Sequence, residues 1–203
     1  MAFIDALNNP ITREIQKDYN RAIAQKIRNR LQQLENANEK DKKRWIWELL
    51  QNANDTVTKN ETVDIEIIVG NNLVEFRHNG GYFSPRNITN LVHQISSKEG
   101  QDNIGRFGTG FLTTHTLSRI VEVSGIYTEE NTYYSFKIHL DRTGHTEPEL
   151  VKCIEKTWET FDNELLTKKP LERVWTSFKY LKPNINIAKN TITNMDYLRP
   201  LVA

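Results

Sequence analysis

The stretch that most constrains this chain runs from Asp102 to His115 and reads DNIGRFGTGFLTTH. It places Gly105, Gly108 and Gly110 in the pattern G-x-x-G-x-G, directly before a run that predicts a helix. Closely spaced glycines cost backbone entropy, but they suit a chain that turns sharply or approaches a ligand. A glycine loop that opens a helix also exposes N–H groups, which favour phosphate. The pattern alone leaves two interpretations open, a phosphate-binding loop and a tight turn packed on a strand.

The composition limits the classes of protein to which this chain can belong. The chain has 203 residues, 37% hydrophobic and 26% charged, which is enough for one sizeable α/β domain. A net charge of +1 gives no global attraction to nucleic acid or membrane, and no apolar run approaches the roughly 20 residues of a membrane span. The single cysteine, Cys153, rules out an internal disulfide and fits a reducing compartment. With no signal-peptide pattern at the start, we expect a cytoplasmic protein without a membrane anchor.

Residues 1–12 are predicted to form an irregular arm, because Pro10 interrupts any regular structure there. The first long helix is predicted from Arg13 onward. Its apolar residues recur every three or four positions, which gives one stripe on a helix. Such a stripe packs on its own domain or forms a dimer contact, and the sequence leaves both open. The stripe consists of Ile15, Tyr19, Ile23, Ile27, Leu31 and Leu34.

A second helix is predicted over Asp41–Thr58, with Asp41 as the N-cap. Its apolar residues form a broad buried face. Glu48, Asn52 and Asp55 stand at i, i+4 and i+7, so they share another face. The alternatives for these three polar residues are a solvated stripe and a functional site.

Alternating apolar and polar residues predict a hairpin, with strands Val63–Val69 and Leu73–Arg77. The second strand runs into His78–Gly81, where the backbone must turn sharply. Ser84 and Pro85 then read as the N-cap and first residue of a short helix that ends near Ile95. The further predicted elements are a helix over Phe111–Leu117, strands over Ile120–Ser124 and Tyr133–Leu140, a helix over Glu147–Asn163 and a last strand over Val174–Leu181.

Three stretches stand in a fixed order: ELLQNAND (Glu48–Asp55), HNGG (His78–Gly81) and IGRFGTGF (Ile104–Phe111). Together they resemble the GHKL ATPases, which include gyrase B, the heat-shock-90 chaperones, MutL, and the sacsin and MORC proteins. The likeness is strongest to the chaperone and sacsin branch. It covers residues 13–182 and implies an ATP-binding domain with a lid at about 84–103, followed at 183–203 by the start of a linker or helix to a further domain.

The resemblance also implies a fold and a set of site residues. The fold would be an α/β, two-layer Bergerat-type sandwich, whose mixed, mostly antiparallel sheet is covered on one face by helices. Glu48 matches the catalytic glutamate, and Asn52 matches the asparagine that holds Mg²⁺. Asp55 would make a further, water-mediated contact, and Thr176 would lie near the adenine. The phosphate contacts implied by the resemblance involve Ser97, Lys98, Gly105, Arg106, Phe107, Gly108, Thr109, Gly110 and Phe111.

One departure from the family pattern concerns base recognition. The family has Asp-x-Gly at the second motif, where the aspartate accepts a hydrogen bond from the adenine amino group. Here His78 stands at that position, followed by Asn79 and Gly80. A neutral imidazole accepts only through its unprotonated nitrogen, and an asparagine accepts through its amide oxygen. The sequence therefore leaves open which of the two contacts the base, and whether GTP is accepted; Gly80 still permits close approach.

The resemblance implies a function, written here as an expectation. The chain would be the Mg²⁺-dependent ATPase module of a larger sacsin-like or chaperone-like protein, with lid closure coupled to conformational change. One alternative is a clamp ATPase in a DNA-associated or nucleic-acid defence system, like MORC or MutL. Another is a nucleotide-binding scaffold without turnover. The expected partners are ATP, further domains of the same chain and a second copy in a homodimer, with nucleic acid reached only through other domains.

Overall fold

The structure, a computed structural model, describes residues 10–57, 62–94, 110–163, 166–168 and 175–193. Ser97, Lys98 and residues 104–109 lie outside these ranges. The helices are α1 (Pro10–Glu35), α2 (Glu39–Lys42), α3 (Arg44–Asn54), α4 (Pro85–His93), a 3-10 helix (Phe111–Thr116), α5 (Glu147–Asn163) and α6 (Ile185–Thr193). The strands are β1 (Ile65–Val69), β2 (Leu73–His78), β3 (Ile120–Glu129), β4 (Thr132–Asp141), β5 (Leu166–Lys168) and β6 (Thr176–Leu181).

The strands form one sheet in the order β1-β2-β6-β3-β4-β5, and every named pair of strands is antiparallel. Within the described ranges, parallel pairing occurs at the isolated bridge between Phe83 and Tyr127. Side chains of β2 alternate between the two faces, so Val74 and Phe76 are buried against the helices. On the other face Arg77 pairs with Glu66. The predicted two-layer α/β sandwich is confirmed.

The core lies between α3, the 3-10 helix and the central strand β6. The Trp45 ring packs edge-on against Tyr180, with centroids 6.3 Å apart, and Phe111 packs against Phe178 at 5.7 Å. Trp45 also donates from Nε1 to Oγ1 of Thr191 in α6, at 3.2 Å. Residues 185–193, within the segment predicted as the start of a linker or helix to a further domain, form a helix that is bonded to Trp45.

Helix α1 begins at Pro10, three residues before the predicted start, so residues 10–12 do not belong to an arm. Proline suits the first helical turn because it lacks the N–H that has no partner there. The apolar stripe is buried only in its second part: Ile11, Ile15 and Tyr19 are 70%, 64% and 41% exposed. The dimer contact remains a prediction. No helix in the described ranges is both long and apolar enough to cross a membrane.

The predicted helix over Asp41–Thr58 is divided into α2 and α3. Asn38, and not Asp41, caps α2, because its side-chain oxygen accepts the backbone N–H groups of Lys40 and Asp41 at 2.9 and 3.0 Å. Helix α3 then starts at Arg44. The correction leaves the register of α3 unchanged, so Glu48 keeps the face predicted for it.

Helix α4 has the predicted start, with Ser84 as the N-cap in a capping box and proline after it. Its apolar side chains Ile88, Leu91 and Val92 are buried. This packing describes the segment in one conformation, so the lid predicted at about 84–103 stays a prediction. Its later part, residues 95–103, lies outside the described ranges.

Three buried histidines make stability depend on pH. Burial lowers the pKa of His78 to about 4, and burial with the nearby Arg142 charge lowers that of His93 to about 4 and of His115 to about 3. The unfolded chain takes up these protons near pH 6.5, whereas the native chain does not. We therefore expect the free energy of unfolding to fall as the pH drops from about 6.5 toward 4.

Urea unfolding at pH 7 and pH 5 measures this loss. In His115→Gln, the number of protons linked to unfolding should fall by about one. Equal stability of the wild type at both pH values would show that the native histidines are protonated as readily as the unfolded ones.

Candidate functional site

The candidate site is built along helix α3, and Glu48 meets the end of the glycine stretch there. A Cβ atom placed on Gly110 would lie 2.9 Å from Cδ of Glu48 and closer still to its Oε2. The other carboxylate oxygen, Oε1, pairs with Nη2 of Arg44 at 3.5 Å, and the Glu48 side chain is 18% exposed. The first and third motifs of the sequence therefore meet at one carboxylate.

Gly80 and Gly81 of the second motif contact Thr56, which lies just after the C-terminal end of α3. A Cβ on Gly80 would overlap Oγ1 of Thr56 and lie 3.2 Å from its Cβ, and one on Gly81 would lie 2.6 Å from the Thr56 carbonyl oxygen. Glycine is required here because no side chain fits between the two segments. The Thr56 hydroxyl donates to the Ala53 carbonyl at 2.6 Å, which holds it in this position. The three motifs thus converge on the chain from Glu48 to Thr56.

Asn52 lies between these two contacts and is 4% exposed. Its Nδ2 has no hydrogen-bond partner among the described residues. Leaving a buried amide donor unpaired costs about 1–3 kcal/mol. A side chain kept at this cost points to a ligand that accepts from it.

His78 lies at the end of β2 and is 1% exposed. The backbone N–H of Gly80 donates to its Nδ1 at 3.2 Å. Its Nε2 is a second buried atom without a partner in the described part of the chain. Asn79, by contrast, is engaged on both sides of its amide: Oδ1 accepts the Asp64 N–H at 2.7 Å, and Nδ2 donates to Oδ2 of Asp64 at 3.0 Å. Of the two residues predicted to contact the base, His78 is the one whose side chain keeps an atom without a hydrogen-bond partner among the described residues.

Thr176 pairs directly with His78 across β2 and β6 and is 3% exposed. On its other side lies Gly125 of β3, where an added Cβ would stand 3.2 Å from the Thr176 Oγ1. Side chains of Thr176, Phe136 and Phe83 therefore pack closely against the Gly125 backbone at this end of the sheet.

One predicted feature, the helix after Gly110, differs from the structure, while the contact predicted for the Asp55 side chain stays a prediction. Asp55 is the C-cap residue of α3, and its backbone N–H donates to the Gln51 carbonyl at 2.9 Å. The run after Gly110 is a six-residue 3-10 helix, so it lacks the N-terminal dipole of a long α-helix. Threonine hydroxyls explain the tight winding: Thr113 and Thr116 donate to the carbonyls three residues back, at 2.6 and 2.8 Å.

Sequence reasoning missed three contacts of the site. Arg44 stands four residues before Glu48, a spacing that signals an ion pair on a helix. Gly125 interrupts a strand pattern, which signals close approach of a neighbour. Thr56 carried no signal, because its contact with Gly80 depends on the tertiary fold alone.

Comparisons with known proteins leave the family unassigned. No protein-family model matches the chain, and no curated protein matches it either. The resemblance to GHKL ATPases therefore depends on the three motifs and on their meeting along α3.

Proposed function

We propose that this chain binds a purine nucleoside triphosphate together with Mg²⁺ and hydrolyses it slowly. ATP is the nucleotide that the resemblance implies. The chain would act as the ATPase module of a larger sacsin-like or chaperone-like protein, in which nucleotide binding changes the conformation passed to further domains.

The observation that carries the proposal is the convergence of three motifs on α3. Glu48 adjoins Gly110, Thr56 adjoins Gly80 and Gly81, and Asn52 lies between them. These motifs are separated by tens of residues in sequence, and close packing against Thr56 accounts for Gly80 and Gly81. Packing does not account for the buried Nδ2 of Asn52, which has no partner among the described residues, whereas a ligand that accepts from it would.

In the proposed hydrolysis, Glu48 would act on the attacking water molecule. A carboxylate can orient an attacking water and take its proton as the bond to the γ-phosphate forms. One carboxylate oxygen pairs with Arg44, whose side chain is 55% exposed, so this ion pair contributes little. The second oxygen faces the Gly110 backbone, and this contact limits where the base can lie before the nucleotide binds.

Asn52 fits a metal–phosphate complex. Mg²⁺ keeps several waters and takes few protein oxygens, so a single amide oxygen suffices as a direct ligand. When bound, the ion would neutralise phosphate charge. The unpaired Nδ2 of Asn52 can donate to a phosphate oxygen, so both ends of the amide would be used.

The test is a calorimetric titration of the nucleotide with Mg²⁺ and with a chelator. Asn52→Ala should weaken Mg²⁺–nucleotide binding about tenfold or more, because it removes a ligand and a charge-assisted hydrogen bond. The same variant should unfold no more easily than the wild type, since it removes an unsatisfied buried donor.

Asn54→Ala is the matched control, because Asn54 is exposed on the same helix. It should leave binding unchanged. A folded Asn52→Ala protein with wild-type affinity would remove the proposed role of Asn52, and a wild type that binds no nucleotide would remove the proposed function.

A further inference from the structure

A cavity of about 320 Å³ lies at the end of the sheet away from the candidate site. Its walls come from the second half of α1, from Arg119 just before β3 and from residues 142–145 after β4. At this end of the sheet Ile120 pairs with Leu181, the last residue of β6, whereas His78 of the candidate site pairs with the first residue of β6. The cavity is therefore outside the site along α3.

The side chains that line this cavity are predominantly positive. They include the three arginines Arg28, Arg119 and Arg142 and one carboxylate, Glu35, which leaves a net charge of +2 when the histidine of the lining is counted as neutral. Arg119 is 28% exposed, and its Nη2 donates to Oε1 of Glu35 at 3.1 Å. The Nε of Arg28 donates to the His145 carbonyl at 3.1 Å, which holds this side chain at the wall of the cavity.

Arg142 places a buried positive charge behind the cavity wall. It is 1% exposed, and its Nε has no hydrogen-bond partner among the described residues. Its Nη2 and Nη1 donate to the carbonyl oxygens of Val92 and Asp141, at 2.7 and 3.4 Å. Burial lowers the pKa of Arg142 to about 10, so the guanidinium stays charged at pH 7.

The Asp141 carboxylate does not satisfy this guanidinium. Its Oδ1 accepts the backbone N–H and the hydroxyl of Thr143, at 2.8 and 2.7 Å. Within the described residues, the hydrogen bonds of Arg142 go to carbonyl oxygens and not to carboxylates. Burying a charge is costly unless an opposite charge and hydrogen bonds offset it, and an anion in the cavity would supply both.

We propose that this cavity binds a phosphate group, either as the free ion or as a phosphomonoester on a larger molecule. Near pH 7 a phosphomonoester carries between one and two negative charges, which complements the net charge of the lining. Its oxygens accept the parallel N–H groups that a guanidinium presents. Arg28 and Arg119 would bind the group directly, Arg142 would attract it from behind the wall, and Glu35 would compete with it for Arg119.

The test follows the arginine side chains by nuclear magnetic resonance while inorganic phosphate is added to the full chain. A chelator removes divalent metal ions, and sodium chloride keeps the ionic strength constant. We expect saturable shifts of the Nε–H signals of Arg119 and Arg142, with a dissociation constant of about 1 mM or lower. Acetate, which carries a single charge, should bind about tenfold more weakly.

Two substitutions in one ion pair should have opposite effects on phosphate binding. Arg119→Gln removes a charged donor, so it should weaken binding about tenfold or more. Glu35→Gln removes the carboxylate that competes for Arg119, so it should tighten binding about threefold or more. A purely structural role of the pair would predict no gain of affinity in Glu35→Gln.

Arg77→Gln is the matched control, because Arg77 forms a similar pair with Glu66 on the open face of the sheet, outside the cavity. It should leave phosphate binding unchanged. Arg142 itself need not be replaced, since its Nε–H signal reports on the cavity in the wild type. Circular dichroism identifies any variant that fails to fold.

A tripeptide that contains phosphoserine distinguishes the two sources of phosphate. Tighter binding of the tripeptide than of inorganic phosphate identifies a phosphorylated side chain, and weaker binding identifies the free ion. Absence of saturable shifts, equal binding of acetate, or phosphate-induced shifts at the Asn52 amide instead of Arg142 would overturn the proposal. These titrations contain no nucleotide, so their failure would leave the proposed function standing.

Discussion

Replacing Glu48 by alanine is expected to lower nucleotide turnover by about 10²-fold or more, the contribution typical of a general base. Binding of the Mg²⁺–nucleotide should change little, because in the proposed mechanism the carboxylate would act on the water in the transition state and not on the bound ground state. Phosphate release under saturating nucleotide gives the turnover, and calorimetric titration gives the affinity.

Arg44→Ala is the matched control, because it removes the ion pair with Glu48 and leaves the carboxylate in place. We expect it to keep most of the turnover. Since closure of the site in an isolated domain can be slow, the comparison requires a measurable wild-type rate. Glu48→Ala with wild-type turnover would show that the base lies elsewhere.

Gly110→Ala is expected to lower turnover about tenfold or more, although it adds only one methyl group. Gly110 has φ of −63° and ψ of −44°, which alanine adopts without strain. The new Cβ would instead overlap the Glu48 carboxylate and displace it, and a small misplacement of a catalytic group is costly. The variant should therefore fold normally and lose activity.

A double-mutant cycle separates this effect from general disruption. In the Glu48→Ala background there is no carboxylate to displace, so Gly110→Ala should cost little further turnover. Gly70→Ala is the control substitution, because a Cβ there meets only the Leu73 carbonyl at an ordinary 3.5 Å. Independent, additive losses at positions 48 and 110 would contradict the contact as the cause.

Much of the fold was predictable because its signals are local. Alternation of apolar residues predicted β2 and β6, and Ser84 with Pro85 predicted the start of α4. The errors arose where tertiary packing, and not the local sequence, determined which residues are buried. The exposed Ile15 shares its stripe with buried residues, and periodicity does not show where the covering elements end. The sequence left residues 183–203 as a linker or helix, because the contact of α6 with Trp45 joins residues that are far apart in sequence.

In the candidate site, the sequence predicted a shared helix face but not the hydrogen bonds. The spacing of Glu48 and Asn52 placed them on one helix face, and the structure keeps them there. Which atoms remain unpaired depends on contacts that no pattern encodes. The Gly80 N–H donates to the acceptor nitrogen of His78, and the Asn79 amide is hydrogen-bonded to Asp64. The sequence therefore left the base contact open, whereas the structure singles out one donor.

The central claim is that a nucleotide binds along α3, between Asn52 and His78. Nuclear magnetic resonance on isotope-labelled chain tests it directly, because the side-chain N–H groups of both residues can be followed during a titration with Mg²⁺ and ATP. The account predicts saturable binding with the largest shifts at the Asn52 amide and the His78 Nε2–H. Absence of shifts would contradict it, as would shifts centred on the cavity of about 320 Å³ lined by Arg28, Arg119 and Arg142.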